Sequence, residues 1–182
     1  MPDQEPRVRQ PRPLAASDAL STTDVTAALR DALRGGGQFV DSRRVLDALD
    51  WRRAGEKPPG AEHSVRRIAA HLVFWQDLYL ERLAGAERPS PPHDAAGWPG
   101  GNAARDEREW KALVARFGDG LARADAAIDS APLGLTLARW GGRTRFAGLN
   151  GLAIHNAYHL GQVVQLRRML GAWPPPGGGD SW

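Results

Sequence analysis

The residues of this chain best equipped for chemistry are histidines. His155-Asn-Ala-Tyr-His159 sets two imidazoles four positions apart, and on a helix such a pair shares one face with Cβ atoms about 6 Å apart. Both rings can then reach one cation. On a helical wheel the pair falls on the side of Leu152, Leu166 and Leu170, so it points toward an interior rather than into water. Interior imidazoles need partners for their nitrogens, and a divalent metal supplies one while both rings stay neutral. A hydrogen-bonded pair of core histidines meets the same need. The pattern also lacks the glutamate that follows the first histidine of a zincin helix, because Asn156 stands there. A metal wants a third ligand, and His71 is the one other histidine on a predicted helix with partly apolar surroundings. Taken alone, His71 reads as a satisfied core or boundary histidine. His63 is expected to serve a helix start or solvent, and His93, among prolines, to be solvated.

Helical punctuation dominates the elements that must position these residues, and strand alternation is almost absent. Thr23 or Asp24 is placed to cap a first helix carrying Val25, Ala28, Leu29 and Leu33, ended by Gly35-Gly36-Gly37. A short apolar piece, Phe39 to Leu49, follows and completes this arm. Ser64 caps a second helix in which Val65, Ile68, Leu72, Tyr79 and Leu83 keep helical spacing as far as Gly85. His71 sits on the flank of that face near Trp75 and Leu78. A Pro-rich connection over 88–101 leads to Asn102, the expected cap of a third helix with an apolar stripe from Trp110 to Ile128; Gly118 and Gly120 lie off that stripe. Thr144 caps a last helix that ends near Leu170, with Gly171 just beyond it and Arg167 and Arg168 suited to the helix dipole. Four helical arms in one domain predict an all-α fold, a four-helix bundle. The domain is expected over 21–173, between disordered tails at 1–20 and 174–182 that are rich in Pro, Gly and polar residues.

Composition removes several classes of function. The chain has 182 residues and no cysteine, which excludes disulfides, thiolate metal sites and redox chemistry by a protein thiol. Its 24 basic and 21 acidic side chains are mixed along the sequence, whereas a nucleic-acid binder gathers its positive charge. No nucleic-acid partner is expected. Phe146 to Leu166 is uncharged over 21 residues, long enough for a bilayer. Six of those positions are Asn150, His155, Asn156, His159, Gln162 and Gln165, so it reads as a helix buried in protein and no membrane is expected. With no secretory pattern at the N-terminus, the expected compartment is the cytoplasm. Walker loops, nucleophile elbows and dinucleotide fingerprints are absent.

Two stretches resemble a known family. His155-Asn-Ala-Tyr-His-Leu-Gly-Gln162 with Leu166-Arg167-Arg168 is similar to the last-helix signature of the DinB-like (DinB/YfiT) superfamily, and His63-Ser-Val-Arg-Arg-Ile-Ala-Ala-His71-Leu is similar to its second-helix signature. The resemblance spans 21–173, most of the chain. It implies a four-helix bundle holding one divalent ion on His71, His155 and His159. Zinc and nickel are the expected metals, with iron, manganese and cobalt also compatible with three imidazoles. It also implies a homodimer.

Three neutral imidazoles leave the full charge on an ion and at least one coordination position open, which is the arrangement of a catalytic rather than a structural site. Such an ion can acidify a bound water or hold a thiolate or carbonyl oxygen. By resemblance, the expected activity is a thiol S-transferase that joins a low-molecular-weight thiol to a small electrophile. The alternatives are a metal-dependent hydrolase or isomerase, and a stress-related metal-binding module without turnover. Gln162 and Asn156 are candidates to support the ligands from behind.

Overall fold

The computed structural model describes residues 21–37 and 39–178. The stretches 1–20 and 179–182, expected as tails, lie outside the described residues. Four long helices form the body: α1 (Thr22–Arg34), α3 (Val65–Leu83), α4 (Glu107–Asp129) and α5 (Arg145–Met169). A one-turn helix, α2 (Trp51–Ala54), three 3-10 turns (Arg44–Leu46, Asp94–Gly97 and Ala138–Trp140) and a hairpin of two short strands, β1 (Thr136–Leu137) and β2 (Arg143–Thr144), complete the order among the described residues. Helix α3 packs between α4 and α5, and α1 closes the bundle against the same two helices. Among the described residues no helix is long and apolar enough to cross a membrane.

Each helix starts where a side-chain oxygen takes a free backbone N–H. Ser64 and Thr144 cap α3 and α5 as their sequence contexts predict. The other two starts are shifted. Ser21 caps α1 in a reciprocal box with Asp24, because Asp24 is placed to answer the Ser21 backbone from the third helical position. Asp106, not Asn102, caps α4. Asn102 is engaged elsewhere: its side-chain oxygen accepts from Ser64 N at 3.1 Å and its carbonyl from Ser64 Oγ at 2.5 Å. That clasp ties the end of the Pro-rich connection to the start of α3, the helix that carries His71.

The apolar core lies in two halves. One gathers Val65, Leu72, Phe117, Leu160 and Val163 with Val45 and Leu46 from the segment after α1. The other gathers Leu29 and Leu33 of α1 with Leu80, Leu83, Ile128, Leu149 and Leu152. Phe39 to Leu49 therefore does not extend α1 but serves the opposite half. The break is at Gly35, whose φ of +68° and approach to Val40 O, 2.4 Å from where a Cβ would sit, exclude a side chain. Gln76 and Asn156 are also buried, each on its helix between residues of the two halves. Gly120 also faces Gln76 and is buried, so it belongs to the inner face of α4 rather than outside its stripe.

Two of the buried arginines hold α5 to its neighbours. Arg145 donates to Leu83 O at 2.9 Å and Ala127 O at 2.6 Å. Arg167 turns inward to donate to Val45 O at 2.6 Å and Ala172 O at 2.9 Å; its place near the end of α5 is thus used for packing as well as for the dipole. The described part of the expected C-terminal tail, 174–178, lies against the body, because Arg44 donates to the carbonyls of Pro176 and Gly178 and Pro175 is buried.

Candidate metal centre

The contact between α3 and α5 brings His71, His155 and His159 together. One nitrogen from each lies within 4.8 Å of the others. His71 Nε2 is 3.1 Å from His159 Nε2 and 3.1 Å from His155 Nε2. His71 and His159 are buried, at 5% and 7% exposure, and His155 is half-buried. These are the three histidines that the sequence singles out, and the structure brings them together.

The outer nitrogens decide what the inner ones can do. His71 Nδ1 lies 2.6 Å from Gly97 O; a carbonyl oxygen accepts only, so Nδ1 carries the proton and Nε2 a lone pair. His159 Nδ1 lies 2.7 Å from Gln162 Oε1, which fixes the same tautomer. Two lone pairs then face each other across 3.1 Å, an arrangement that asks for a positive centre between them. A tetrahedral ion with metal–nitrogen bonds of about 2.0–2.1 Å sets its donors about 3.3 Å apart, close to the observed separations. His155 Nδ1 is buried with no partner among the described residues. The donor set fits a divalent ion.

Electrostatics agree with this reading. Burial, opposed by the Gly97 carbonyl, lowers His71 from the ordinary 6.5 to about 4. Burial, reinforced by the other two rings, lowers His155 to about 3. Burial also lowers His159, against the opposing bond from Gln162. All three rings are neutral at pH 7, the form that ligates.

The wall of the site comes from the Pro-rich connection, which sequence periodicity could not resolve. A 3-10 turn at Asp94–Gly97 directs the Gly97 carbonyl at His71. The next residue, Trp98, stacks on His71 with centroids 3.7 Å apart and planes 14° apart, and meets His159 edge-on at 5.6 Å. His63 is not simply a solvated residue at the helix start; it is half-buried, with its ring 3.9 Å from Trp98. The indole is held between His63 and His71. His93 is exposed, as expected. Gln162 sits behind His159 as the sequence suggests, and the buried Asn156 side chain lies beside His155, where it opposes the lowering of that ring's pKa. Nothing in residue type marks Gly97 or Trp98 as functional. The nearest signal is that a glycine precedes an aromatic residue in the connection leading out of the His71 helix.

Comparison with known proteins bears on the fold and the family. No curated protein matches this chain. A crystal structure described as the conserved protein of a locus from Enterococcus faecalis is similar, with a TM-score of 0.52 at 15% identity over 82% of this chain and 94% of that one. At this identity the likeness shows the fold alone. A family model described as the DinB superfamily matches residues 39–163. That span is more than half of the chain and contains all three clustered histidines, and on this ground the chain belongs to the DinB superfamily.

Proposed function

We propose that this protein is a metal-dependent enzyme of the thiol S-transferase type, with His71, His155 and His159 holding a divalent ion, zinc or nickel in first place. The observation that carries the reading is the convergence of three ring nitrogens, with His71 Nε2 3.1 Å from both His159 Nε2 and His155 Nε2. When bound, the ion supplies Lewis acidity that favours the thiolate of an incoming thiol at neutral pH. The remaining work belongs to the chain. Gly97 and Gln162 orient two of the rings from behind. Trp98 covers His71 and His159 and keeps water from that side. The half-buried His155 marks the side from which substrates approach. The chain has no cysteine, so the nucleophilic sulfur comes from a small co-substrate. The thiol proton passes to solvent, the sulfur–carbon bond forms, and the bond from that carbon to the electrophile's leaving group breaks, its electron pair departing with the group. The homodimer implied by the family belongs to the same proposal, and a monomeric mass by light scattering at micromolar concentration removes it.

Elemental analysis of the purified protein beside His155→Ala, followed by assay of thiol consumption with a panel of small thiols and alkylating electrophiles, tests the reading. The expected result is one ion per chain, lost in the variant, and thiol consumption that stops with chelator. A stoichiometric ion with no thiol consumed assigns the site instead to metal-stabilised structure. Absence of any ion overturns the metal centre itself.

A further inference from the structure

Beyond His155 an aromatic wall continues along the junction of α3 and α5. The Trp75 ring lies 5.8 Å from His155, Tyr79 lies 6.4 Å from Trp75, and Trp140 stands edge-on to Tyr79 at 5.1 Å. The wall ends in positive charge: the Arg143 guanidinium is 5.2 Å from the Trp140 ring, and that of Arg82 is 5.3 Å from it. These two cations are differently engaged. Arg82 is buried and donates to Arg88 O and Ser90 Oγ. Arg143 is exposed and, among the described residues, has neither a carboxylate partner nor a hydrogen-bond acceptor.

Gly151 lies one helical turn before His155, where the wall meets α5. A Cβ there would lie 3.3 Å from Tyr79 Cε1 and 3.5 Å from both Tyr79 Oη and Arg143 Nη1. The phenol thus lies against α5 at this glycine, and its hydroxyl and the guanidinium meet at one spot. Arg143 is also pre-positioned, because it pairs with Leu137 in the hairpin and Leu137 is anchored in the core. A cation set on a core-anchored hairpin beside a hydroxyl donor, with no carboxylate partner among the described residues, is suited to receive an anion.

We propose that Arg143 and Tyr79 form a carboxylate-binding subsite for the reaction at His71, His155 and His159. The ligand is a small molecule with an apolar or planar body along Trp75, Tyr79 and Trp140, whose carboxylate meets Arg143 while its reactive end reaches the metal centre. This inference rests on the proposed metal centre for its second half. The carboxylate belongs either to the electrophile or to the thiol co-substrate, and the test separates the two.

Isothermal titration calorimetry on the metal-loaded protein compares 3-phenylpropionate with 3-phenylpropionamide, and 3-mercaptopropionate with 3-mercaptopropionamide. The expected result is at least tenfold tighter binding of the charged member of one pair. That preference shrinks to within about twofold in Arg143→Gln and is partly kept in Arg143→Lys. Preference in the phenyl pair assigns the carboxylate to the electrophile, and preference confined to the mercapto pair assigns it to the thiol. Equal binding of charged and neutral members, or a preference that survives Arg143→Gln, overturns the subsite. Metal content is measured in every sample: failure of the metal centre shows as a missing ion, and failure of the subsite as missing discrimination in a protein that holds its ion.

Discussion

His71 and His159 present their Nε2 atoms to each other at 3.1 Å while both Nδ1 atoms are already committed, one to the Gly97 carbonyl and the other to Gln162. The acceptors behind the rings therefore select the tautomer in front of them. Without those acceptors either ring could turn its Nε2–H inward and satisfy the other by a simple hydrogen bond, and the pocket would lose its claim on a cation.

Gln162 is the acceptor that a substitution can remove. Gln162→Leu is expected to weaken metal binding about 10- to 100-fold with little change in the fold. Gln162→Glu keeps an acceptor for Nδ1–H and is expected to retain most of the affinity. Competition against a chromophoric chelator measures both. Equal affinity in the wild type and the Leu variant removes the orienting role.

The parts of this architecture written in local pattern could be read from sequence, and the parts that depend on distant encounters could not. Ser64 and Thr144 announce their helices because capping is settled within four residues. His155 and His159 share a face because helical spacing alone requires it. Asn102 misleads for the opposite reason: its polar groups are taken by Ser64, 38 positions away, and Asp106 caps instead. Gly97 and Trp98 were invisible because a Pro-rich connection has no period, so nothing local reveals that it folds back over His71. Gly120 leaves no mark in the apolar stripe, because a glycine contributes nothing to it even when it faces inward.

Acid should weaken the metal-free protein in a defined window. His71 and His155 have folded pKa values lowered to about 4 and about 3 from 6.5, so below pH 6.5 the unfolded chain binds more protons than the folded one. Stability contributed by the neutral rings is therefore complete above pH 6.5 and is lost as pH falls toward the folded values. The loss is expected to reach the order of a few kcal/mol. Thermal melts of chelator-treated protein from pH 7 to pH 4 should show a falling Tm, with a shallower fall in a His71→Phe, His155→Leu double variant. Parallel slopes for the two proteins would show that these rings do not control the acid limb.

Gly120 is fixed by Gln76. A Cβ at position 120 would lie 2.3 Å from Gln76 Oε1 and 2.9 Å from Cδ, and Gln76 is buried at 1% exposure, with limited room to retreat. Alanine in a helix interior ordinarily gains about 1 kcal/mol over glycine, but overpacking here costs about 1–3 kcal/mol. Gly120→Ala is expected to be destabilising by about 1 kcal/mol in the wild type and stabilising in a Gln76→Ala background. Urea denaturation of the four proteins in this cycle measures the coupling. The same sign in both backgrounds would mean that the Gln76 amide does not limit the approach of α3 and α4.

Arg167 offers a test of stability that should leave the metal centre alone. Its guanidinium is buried at 2% exposure, donates to Val45 O and Ala172 O, and lies 5.3 Å from the Trp173 ring. Burial lowers its pKa, opposed by the charge of Asp47, yet a guanidinium stays charged at neutral pH, so the carbonyls and the indole stabilise a true cation. Removing it leaves two inward carbonyls without a donor and a void at the end of α5. Arg167→Ala is therefore expected to cost about 3 kcal/mol. Lysine does not replace the fork that reaches both carbonyls, so Arg167→Lys should recover only part of that loss. His159 lies two turns earlier on the same helix and is held by Gln162 rather than by Arg167. Metal stoichiometry in the folded Arg167→Ala protein should consequently stay at the wild-type value while its urea midpoint drops; a joint loss of both would show that the end of α5 positions the ligands as well as the loops.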